Sequence, residues 1–265
     1  CYCGTGCGLI IEHEAGRITG VRGDPDHPAN FGRLCTKGAT LHLTSGTAGR
    51  ALYPELRTSR DAPRVRTDWD TAVAFYISGQ LLTEDYYVFN KLARALVGTN
   101  NIDSNSRLCM SSAVAGYKNT LGADSVPASY EDLALADHLL IAGSNTAWAH
   151  PIVFRRIEDA KRANPDLTIT VVDPRRTETA EFADLHLQIA PGTDLLLYNA
   201  MLHVLVWEDL LDRDFIREHT DGFDVLRAEL VEYSPGNVAA ACGVDAADII
   251  EAARRFGRAG AALSM

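Results

Sequence analysis

From residue 72 onwards, short apolar runs typical of buried strands alternate with amphipathic helical patterns. The clearest strands are DHLLIAG (137–143) and TITVVDP (168–174), and the helical pattern PIVFRRIEDAKRAN (151–164) lies between them. ADLHLQIAPGTD contains a third strand, and a helix is predicted at 194–207. Because strands that alternate with helices form parallel βαβ units, the expected fold class is α/β with a Rossmann-like parallel sheet.

The first 50 residues have a different character. GLIIEHEAGRITGVRG predicts two short strands around the turn EAGR, and a loop rich in Gly, Pro and Asp then leads to Cys35. We therefore expect a small β-rich cluster-binding subdomain over 1–50 and an α/β region over 51–265, joined by a mostly extended linker up to residue 70. The final apolar residues predict a strand that is left unpaired, as if the chain were the N-terminal portion of a longer protein.

The α/β region should also contain a buried strand at AVAFYI, a helix at 83–97 and another near 110–119. The formal net charge of -10 argues against nucleic acid as a partner, because phosphate binding needs clustered Lys and Arg. No apolar run reaches the ~20 residues of a membrane-spanning helix.

Cysteine spacing is the strongest chemical signal. Four of the six cysteines fall within the first 35 residues, which disfavours a disulfide framework. Cys3 and Cys7, on a glycine-rich turn, can converge with Cys35 on a [4Fe-4S] cluster, which needs a fourth thiolate. Cys1 can supply this fourth thiolate only if a single residue separates two cluster ligands, Cys1 and Cys3, which is unusual. The alternative is that the fourth ligand is a residue that preceded Cys1. Zinc is the weaker alternative, because its sites favour C-x2-C pairs.

Several ordered motifs carry a family resemblance, namely CYCGTGCG, GRLCTKG, SNSRLCMSSAVAGYKNTLGAD, GSNTAWAHP and VVDPRRTETAEFADLHLQIAPGTDLLLYNA. Together they resemble the molybdopterin-guanine-dinucleotide oxidoreductases, and within them the bacterial assimilatory nitrate reductases. The resemblance implies a [4Fe-4S] cluster, a Mo-bis(molybdopterin guanine dinucleotide) cofactor, and reduction of nitrate to nitrite in the cytoplasm. It also implies that Cys1 is a spacer, and that Lys37 lies between the cluster and the pterin.

Cys109 lies at a predicted junction between a loop and a helix, where the helix dipole favours a thiolate. A lone cysteine is otherwise usually a buried structural residue. The resemblance implies that Cys109 is the molybdenum ligand. In related formate dehydrogenases the next residue is His, whereas Met110 at this position resembles the nitrate reductases. Arg107 could attract the anionic substrate or pair with a carboxylate.

The ends of the predicted strands should bind nucleotide, as in other open α/β sheets. The candidate residues are Gly143, Ser144, Asn145, Asp173, Arg175, Gly192, Thr193 and Asp194. Asp173 can accept ribose hydroxyls, and Arg175 or Arg176 can bind phosphate. The resemblance implies that Asp194 binds the guanine base, although an Asp at this position ordinarily caps the N-terminus of a helix. His150 could be a ligand, a pterin contact or part of a capping loop.

The resemblance leaves some choices open. A formate dehydrogenase or another oxidoreductase of the family remains an alternative, as does an electron-transfer subunit that keeps the fold without molybdenum. Ferredoxin, flavodoxin and NADH-linked reductases are all possible electron donors. The family has a helix after the WD element, whereas Asp70 here leads almost directly into a strand, and a further cofactor domain is expected beyond Met265. This portion is therefore not expected to be active alone.

Overall fold

The computed structural model describes residues 5–46, 52–68 and 74–265. The chain forms two compact units, Cys1–Pro127 and Ala128–Met265. The departure from the family noted at Asp70 lies outside the described residues. Within the described ranges, no helix is both long enough and apolar enough to cross a membrane.

The first unit begins with the predicted hairpin. Strands β1 (Leu9–Glu14) and β2 (Arg17–Gly23) pair antiparallel, with a bulge between Glu12 and His13. Ala15 and Gly16 both have positive φ, at 48° and 77°. Two such residues in a two-residue connection match the right-handed twist of the strands, so the EAGR turn forms where the sequence predicts it.

A loop and short helices follow the hairpin, and then two small sheets. The elements in chain order are helix α1 (Thr36–Ala39), a 3-10 turn (Leu41–Thr44), strands β3 (Glu55–Leu56), β4 (Val65–Arg66) and β5 (Phe75–Ile77), helix α2 (Thr83–Asn90), strand β6 (Ile102–Ser104), and helices α3 (Ser106–Cys109) and α4 (Ser111–Leu121). The predicted linker thus contains the antiparallel pair β3–β4.

Strands β5 and β6 pair in parallel around the predicted helix, which confirms a βαβ connection. The helix begins at Thr83 as predicted, but its second half, Lys91–Val97, is a π-helix that ends at Gly98 with a φ of 76°. The prediction of a buried strand at AVAFYI is only half right, because Tyr76 is 68% exposed and part of the run lies outside the described residues.

The second unit is a parallel α/β sheet with strand order β10-β7-β8-β9. Its elements are α5 (Asp132–Leu135), β7 (His138–Ala142), α6 (Thr146–Ala149), α7 (Pro151–Ala163), β8 (Thr168–Val172), α8 (Glu178–Glu181), β9 (Leu185–Leu187), α9 (Asp194–Trp207), α10 (Arg213–His219), α11 (Phe223–Glu229), a 3-10 turn (Leu230–Tyr233), α12 (Pro235–Cys242), α13 (Ala246–Arg258) and β10 (Ala262–Ser264). The expectation of an unpaired last strand is wrong, because β10 pairs in parallel with β7, with Ala262 opposite His138.

Both faces of this sheet are covered by helices, as a parallel sheet requires. Leu140 and Val172 pack on one face with residues of α9, α12 and α13. Their chain neighbours Leu139 and Val171 point to the other face and pack with α7. Because side chains alternate along a strand, each continuous apolar run supplies both cores. The α/β class with a small β-rich N-terminal region is confirmed.

Candidate cofactor-binding site

The cysteine turn lies just before β1. Cys7 is half-buried between Gly6, whose φ is 68°, and Gly8. A Cβ on Gly8 would lie 2.3 Å from the His27 ring, so the loop after β2 approaches the turn too closely for a side chain there. The predicted ligands Cys1 and Cys3 lie outside the described residues.

Cys35 lies at the other end of that loop, immediately before α1. It is half-buried, and its carbonyl accepts the amide of Ala39, so it begins the helical turn that carries Lys37. Lys37 is also half-buried, two residues after the thiol. Gly23 permits the approach of the loop, because a Cβ there would lie 2.1 Å from the carbonyl oxygen of Gly32.

These residues fit a thiolate-bound cluster in their chemistry. The described part of the chain contains no group of three or more His, Cys, Asp or Glu side chains arranged to hold a metal ion. It does place Cys7 and Cys35, both half-buried, on turns whose glycines allow close backbone packing. Soft thiolates with a nearby cation suit an anionic iron–sulfur cluster.

Cys109 is the last residue of α3, and Met110 separates it from Ser111, the first residue of α4. Its thiol is exposed, which excludes the buried structural role. The amide of Cys109 donates to the carbonyl of Asn105, and the amide of Met110 donates to that of Ser106, so the backbone is ordered on both sides of the thiol. The thiol thus lies near the positive end of an 11-residue helix.

Arg107 pairs with a carboxylate, which was one of its two predicted roles. Its Nε lies 2.7 Å from Oδ2 of Asp103 on β6. The pKa of Asp103 is held below its usual value, first by the backbone N–H of Ser104 and then by the Arg107 side chain. Arg107 remains 76% exposed, so its guanidinium can still contact an anion from solution.

In the second unit, the carboxyl ends of β7 and β8 lie side by side. Gly143 follows β7 with a φ of 62°, and its amide donates to the carbonyl of Val172. Ser144 shares a hydrogen bond of 3.0 Å with the hydroxyl of Thr146. The parallel pairing of β7 and β8 therefore brings the GSN segment to the same edge of the sheet as the residues that follow β8.

Asn145 joins the two loops at this edge. Its Nδ2 donates to Glu178 at 3.1 Å, and its Oδ1 accepts from the hydroxyl of Thr179 at 3.0 Å. The same hydroxyl accepts the amide of Ala147. Asn145, predicted as a cofactor contact, is thus engaged within the protein and fixes the β7 loop against α8. Glu178 and Thr179 could not be found from the sequence, because both are ordinary residues for the start of a helix.

Asp173 is only 5% exposed and lies at the end of β8. One carboxylate oxygen accepts the amide of Arg175 at 2.7 Å, which folds the PRR turn back and leaves the Arg175 side chain exposed. His186 donates from Nε2 to the carbonyl of Asp173 at 2.9 Å. The contact of Asp173 with a ribose hydroxyl stays a prediction.

The PGTD segment forms the start of α9. Gly192 has a φ of 84°, and the hydroxyl of Thr193 donates to the carbonyl of Ala190 at 2.7 Å. The N-cap is Thr193, so the capping role considered for Asp194 is wrong. Asp194 is instead the exposed first helical residue. Burial raises the pKa of Tyr198 one turn along, and the charge of Asp194 raises it further.

A cleft of about 880 Å³ opens beside β9. Pro174, His186 and Gln188 line it, together with Asp245 of the α12–α13 connection and Asp248 of α13. Gln188 donates to the carbonyl of Pro174 at 3.0 Å, which closes the turn after β8. The cleft is therefore adjacent to Asp173 and to the PGTD segment, and sequence reasoning missed its lining residues because they come from separate parts of the chain.

His150 lies between α6 and α7 and is the residue before the first turn of α7, with no side-chain capping bond. Its roles as a ligand or a pterin contact stay predictions. Cys242 is buried, and burial raises the pKa of its thiol. A neutral buried thiol is inert, so Cys242 belongs to the core rather than to a metal site.

Two family models match the chain. The chain matches the family described as Molybdopterin oxidoreductase over residues 64–232, and the Molybdopterin oxidoreductase Fe4S4 domain over residues 1–45. Acetylene hydratase from Pelobacter acetylenicus has a similar structure, with a TM-score of 0.79 and 25% sequence identity over 99% of this chain and 39% of that one.

Curated relatives include enzymes of two activities. A nitrate reductase of Klebsiella oxytoca is 46% identical over 96% of this chain and 30% of its own length. The F420-dependent formate dehydrogenase subunit alpha of Methanocaldococcus jannaschii is 38% identical over 97% of this chain and 40% of its own length. A periplasmic nitrate reductase of Desulfovibrio desulfuricans is 37% identical over 100% of this chain and 38% of its own length. The chain thus spans between 30% and 40% of the length of these relatives. Since one family match alone covers residues 64–232, more than half of the chain, the protein belongs to the molybdopterin oxidoreductase family.

Proposed function

We propose that the protein containing this chain reduces nitrate to nitrite at a molybdenum centre. The observation that carries the proposal is the exposed thiol of Cys109 at the end of α3, two residues before α4, with Met110 immediately after it. The 46% identical nitrate reductase supports the choice of substrate. The balanced reaction consumes two electrons and two protons for each nitrate and yields nitrite and water.

When bound, molybdenum in its dithiolene cofactor supplies the two-electron oxygen-atom transfer. Cys109 is the residue of this chain that would hold the metal. Its place next to the first turn of α4 puts the thiol near the partial positive charge of a helix end, which suits an anionic ligand. Arg107, two residues earlier and exposed, adds positive potential that attracts an anion, although Asp103 offsets part of that charge.

Electrons would enter through a [4Fe-4S] cluster held by Cys3, Cys7, Cys35 and a fourth thiolate, which is Cys1 or a residue before it. Lys37 places a cation beside this ligand set and favours the reduced, more anionic state. A ferredoxin, a flavodoxin or an NADH-linked reductase would be the donor.

We assign the guanine-nucleotide end of the cofactor to the strand ends of the second unit. Gly143 leaves open space above the sheet, since a Cβ there would contact nothing within 4 Å. The acidic residue Asp173 suits a ribose, and the exposed Arg175 suits a phosphate. Asp194 has its carboxylate exposed at the first position of α9, where it can accept two N–H groups from a guanine base.

Replacing Cys109 with serine tests the proposal. Cys109→Ser should abolish nitrate reduction and release most of the molybdenum, because a hydroxyl is a poor ligand where a soft thiolate is required. Ser112→Ala, on the exposed first turn of the following helix α4, is the matched control and should keep both. Molybdenum by mass spectrometry and nitrite formed with a chemical electron donor are the measurements. A Cys109→Ser protein with wild-type activity would refute the assignment.

Formate oxidation is the second candidate, and the 38% identical formate dehydrogenase subunit favours it. The two activities are separated by assaying the molybdenum-loaded wild-type protein with each substrate. If the protein oxidised formate and did not reduce nitrate, it would be a formate dehydrogenase and the proposed nitrate reduction would be wrong.

We also propose that the protein acts in the cytoplasm, as suits nitrate assimilation. The periplasmic relative makes the other compartment a real alternative. Fractionation of the source cells, followed by detection of the protein in each fraction, decides between them.

A further inference from the structure

Asn30 is a polar side chain buried in the loop between β2 and α1. It is 1% exposed, and it lies five residues before Cys35 in sequence. Burying an amide costs free energy unless hydrogen bonds replace those it makes with water. The partners of Asn30 therefore indicate what it holds in place.

Its first partner is the backbone of Gly8. The amide of Gly8 donates to Asn30 Oδ1 at 2.7 Å, and Asn30 Nδ2 donates to the carbonyl of Gly8 at 3.2 Å. The side-chain amide thus pairs with both backbone groups of one residue, much as a neighbouring strand would. Gly8 directly follows Cys7, so this pair of bonds fixes the backbone that carries one predicted ligand.

The second partner is the carbonyl of Arg33, which accepts from the same Nδ2 at 2.9 Å. Arg33 precedes Cys35 by two residues. A single buried side chain therefore bonds to the turn of Cys7 and to the segment of Cys35, although these cysteines are 28 positions apart in sequence.

The surrounding glycines show how tightly this link is packed. Gly8 has no space for a Cβ beside His27, and Gly23 has none beside the carbonyl of Gly32. The amide of Asp24 also donates to the carbonyl of Gly8 at 3.1 Å. Asn30 adds the partner of the Gly8 amide and a donor to the carbonyl of Arg33 where the loop and the cysteine turn approach this closely.

We infer that Asn30 is a positioning residue that fixes the Cys7 and Cys35 turns relative to one another, so that their thiols are preorganised for the iron–sulfur cluster. The inference rests on the proposed cluster. A thiolate pair that is already placed loses less conformational entropy when it binds the cluster, and it resists release of the iron.

Two replacements remove the link in different ways. Asn30→Ala removes all three bonds, whereas Asn30→Asp keeps the shape and the acceptor but loses both donors to the carbonyls of Gly8 and Arg33. Asn90→Ala is the matched control, because Asn90 Nδ2 also donates to a backbone carbonyl, that of Tyr86 in α2, at 2.9 Å.

The experiment follows the loss of visible cluster absorbance when a chelator is added to anaerobically purified protein. Both Asn30 variants should lose iron about tenfold faster than wild type, the change expected from losing a buried hydrogen bond, and Asn90→Ala should match wild type. Equal rates in all four proteins would overturn the inference. A wild-type protein that contains no iron–sulfur cluster would instead overturn the proposed function.

A second measurement needs no variant and so does not depend on folding of the variants. In wild-type protein stripped of iron, the Gly8 amide should exchange with solvent at least about tenfold more slowly than an unstructured amide, because Asn30 already holds it. Rapid exchange at Gly8 in the iron-free protein would show that the link forms only with the cluster, and would overturn preorganisation.

Discussion

His138 illustrates how a single buried residue sets a pH dependence. It is fully buried in β7, and its Nδ1 lies 2.8 Å from the hydroxyl of Thr168. Burial, with a further contribution from the charge of Arg255, lowers its pKa to about 4. Between this pKa and the higher, ordinary pKa of the unfolded chain, the imidazole is therefore neutral in the folded protein and protonated in the unfolded chain.

The sign of the effect on stability follows from linkage. Between pH values of about 6.5 and about 4, the unfolded chain carries a proton on His138 and the folded protein does not. The free energy of unfolding should thus fall as pH is lowered through this window, by at most about 3 kcal/mol. Urea unfolding of wild type and His138→Gln at several pH values measures it. If the variant shows the same slope as wild type, the cause lies elsewhere.

The individual site residues were predictable where the chemistry is carried by residue type. Cysteines near glycines, Asp173 after an apolar strand, and Cys109 before a helical pattern can each be found from the sequence. Asn30 could not be found in this way, because Asn in a loop with Pro and Gly is typical of turns. Its role depends on partners 22 positions earlier and 3 positions later, which only the folded backbone identifies.

At the scale of elements, two glycines predict opposite effects of the same substitution. Gly23 ends β2, and an added Cβ would lie 2.1 Å from a backbone oxygen that cannot easily move. Gly116 lies inside α4, where a Cβ would meet nothing within 4 Å. Gly23→Ala should lower the free energy of unfolding by about 2 kcal/mol, and Gly116→Ala should raise it by about 0.5–1 kcal/mol.

Urea denaturation of the two alanine variants and wild type gives both values. The pair controls for the general effect of adding a methyl group, because only the surroundings differ. A Gly23→Ala protein as stable as Gly116→Ala would show that the close approach to Gly32 is not required by the fold.

Elements with strong periodicity were predicted well. The strands at 137–143 and 168–174 and the helix at 194–207 were found because continuous apolar runs and amphipathic patterns point to one conformation. The pairing of β10 with β7 was missed, because partners in parallel sheets can lie far apart in sequence and the pairing leaves no local signal. The helices between 213 and 242 were not predicted, since they are short and their faces mix polar and apolar residues.

At the scale of the whole molecule, apolar burial is distributed unevenly. Among the residues that the structure describes, both hydrophobic cores, built around Leu139, Leu140 and their neighbours, belong to the second unit. In the described part of the first unit, the apolar residues that reach full burial are Ala29 and Ala93, two of the smallest side chains. Because hydrophobic stabilisation scales with apolar area removed from water, the first unit gains little of it from its own side chains.

A unit with a small core usually depends on metal or cofactor for its stability, since binding free energy then adds to folding free energy. Removal of iron with a chelator should thus expose residues 1–127 to limited proteolysis, while 128–265 stays resistant. The first unit should be cleaved about tenfold faster than in the iron-loaded protein, as expected when its locally unfolded population rises tenfold. Timed digestion with mass spectrometry of the fragments measures both halves in one sample, so the second unit is an internal control. Equal digestion of the two units, or a first unit indifferent to iron, would show that its small core suffices.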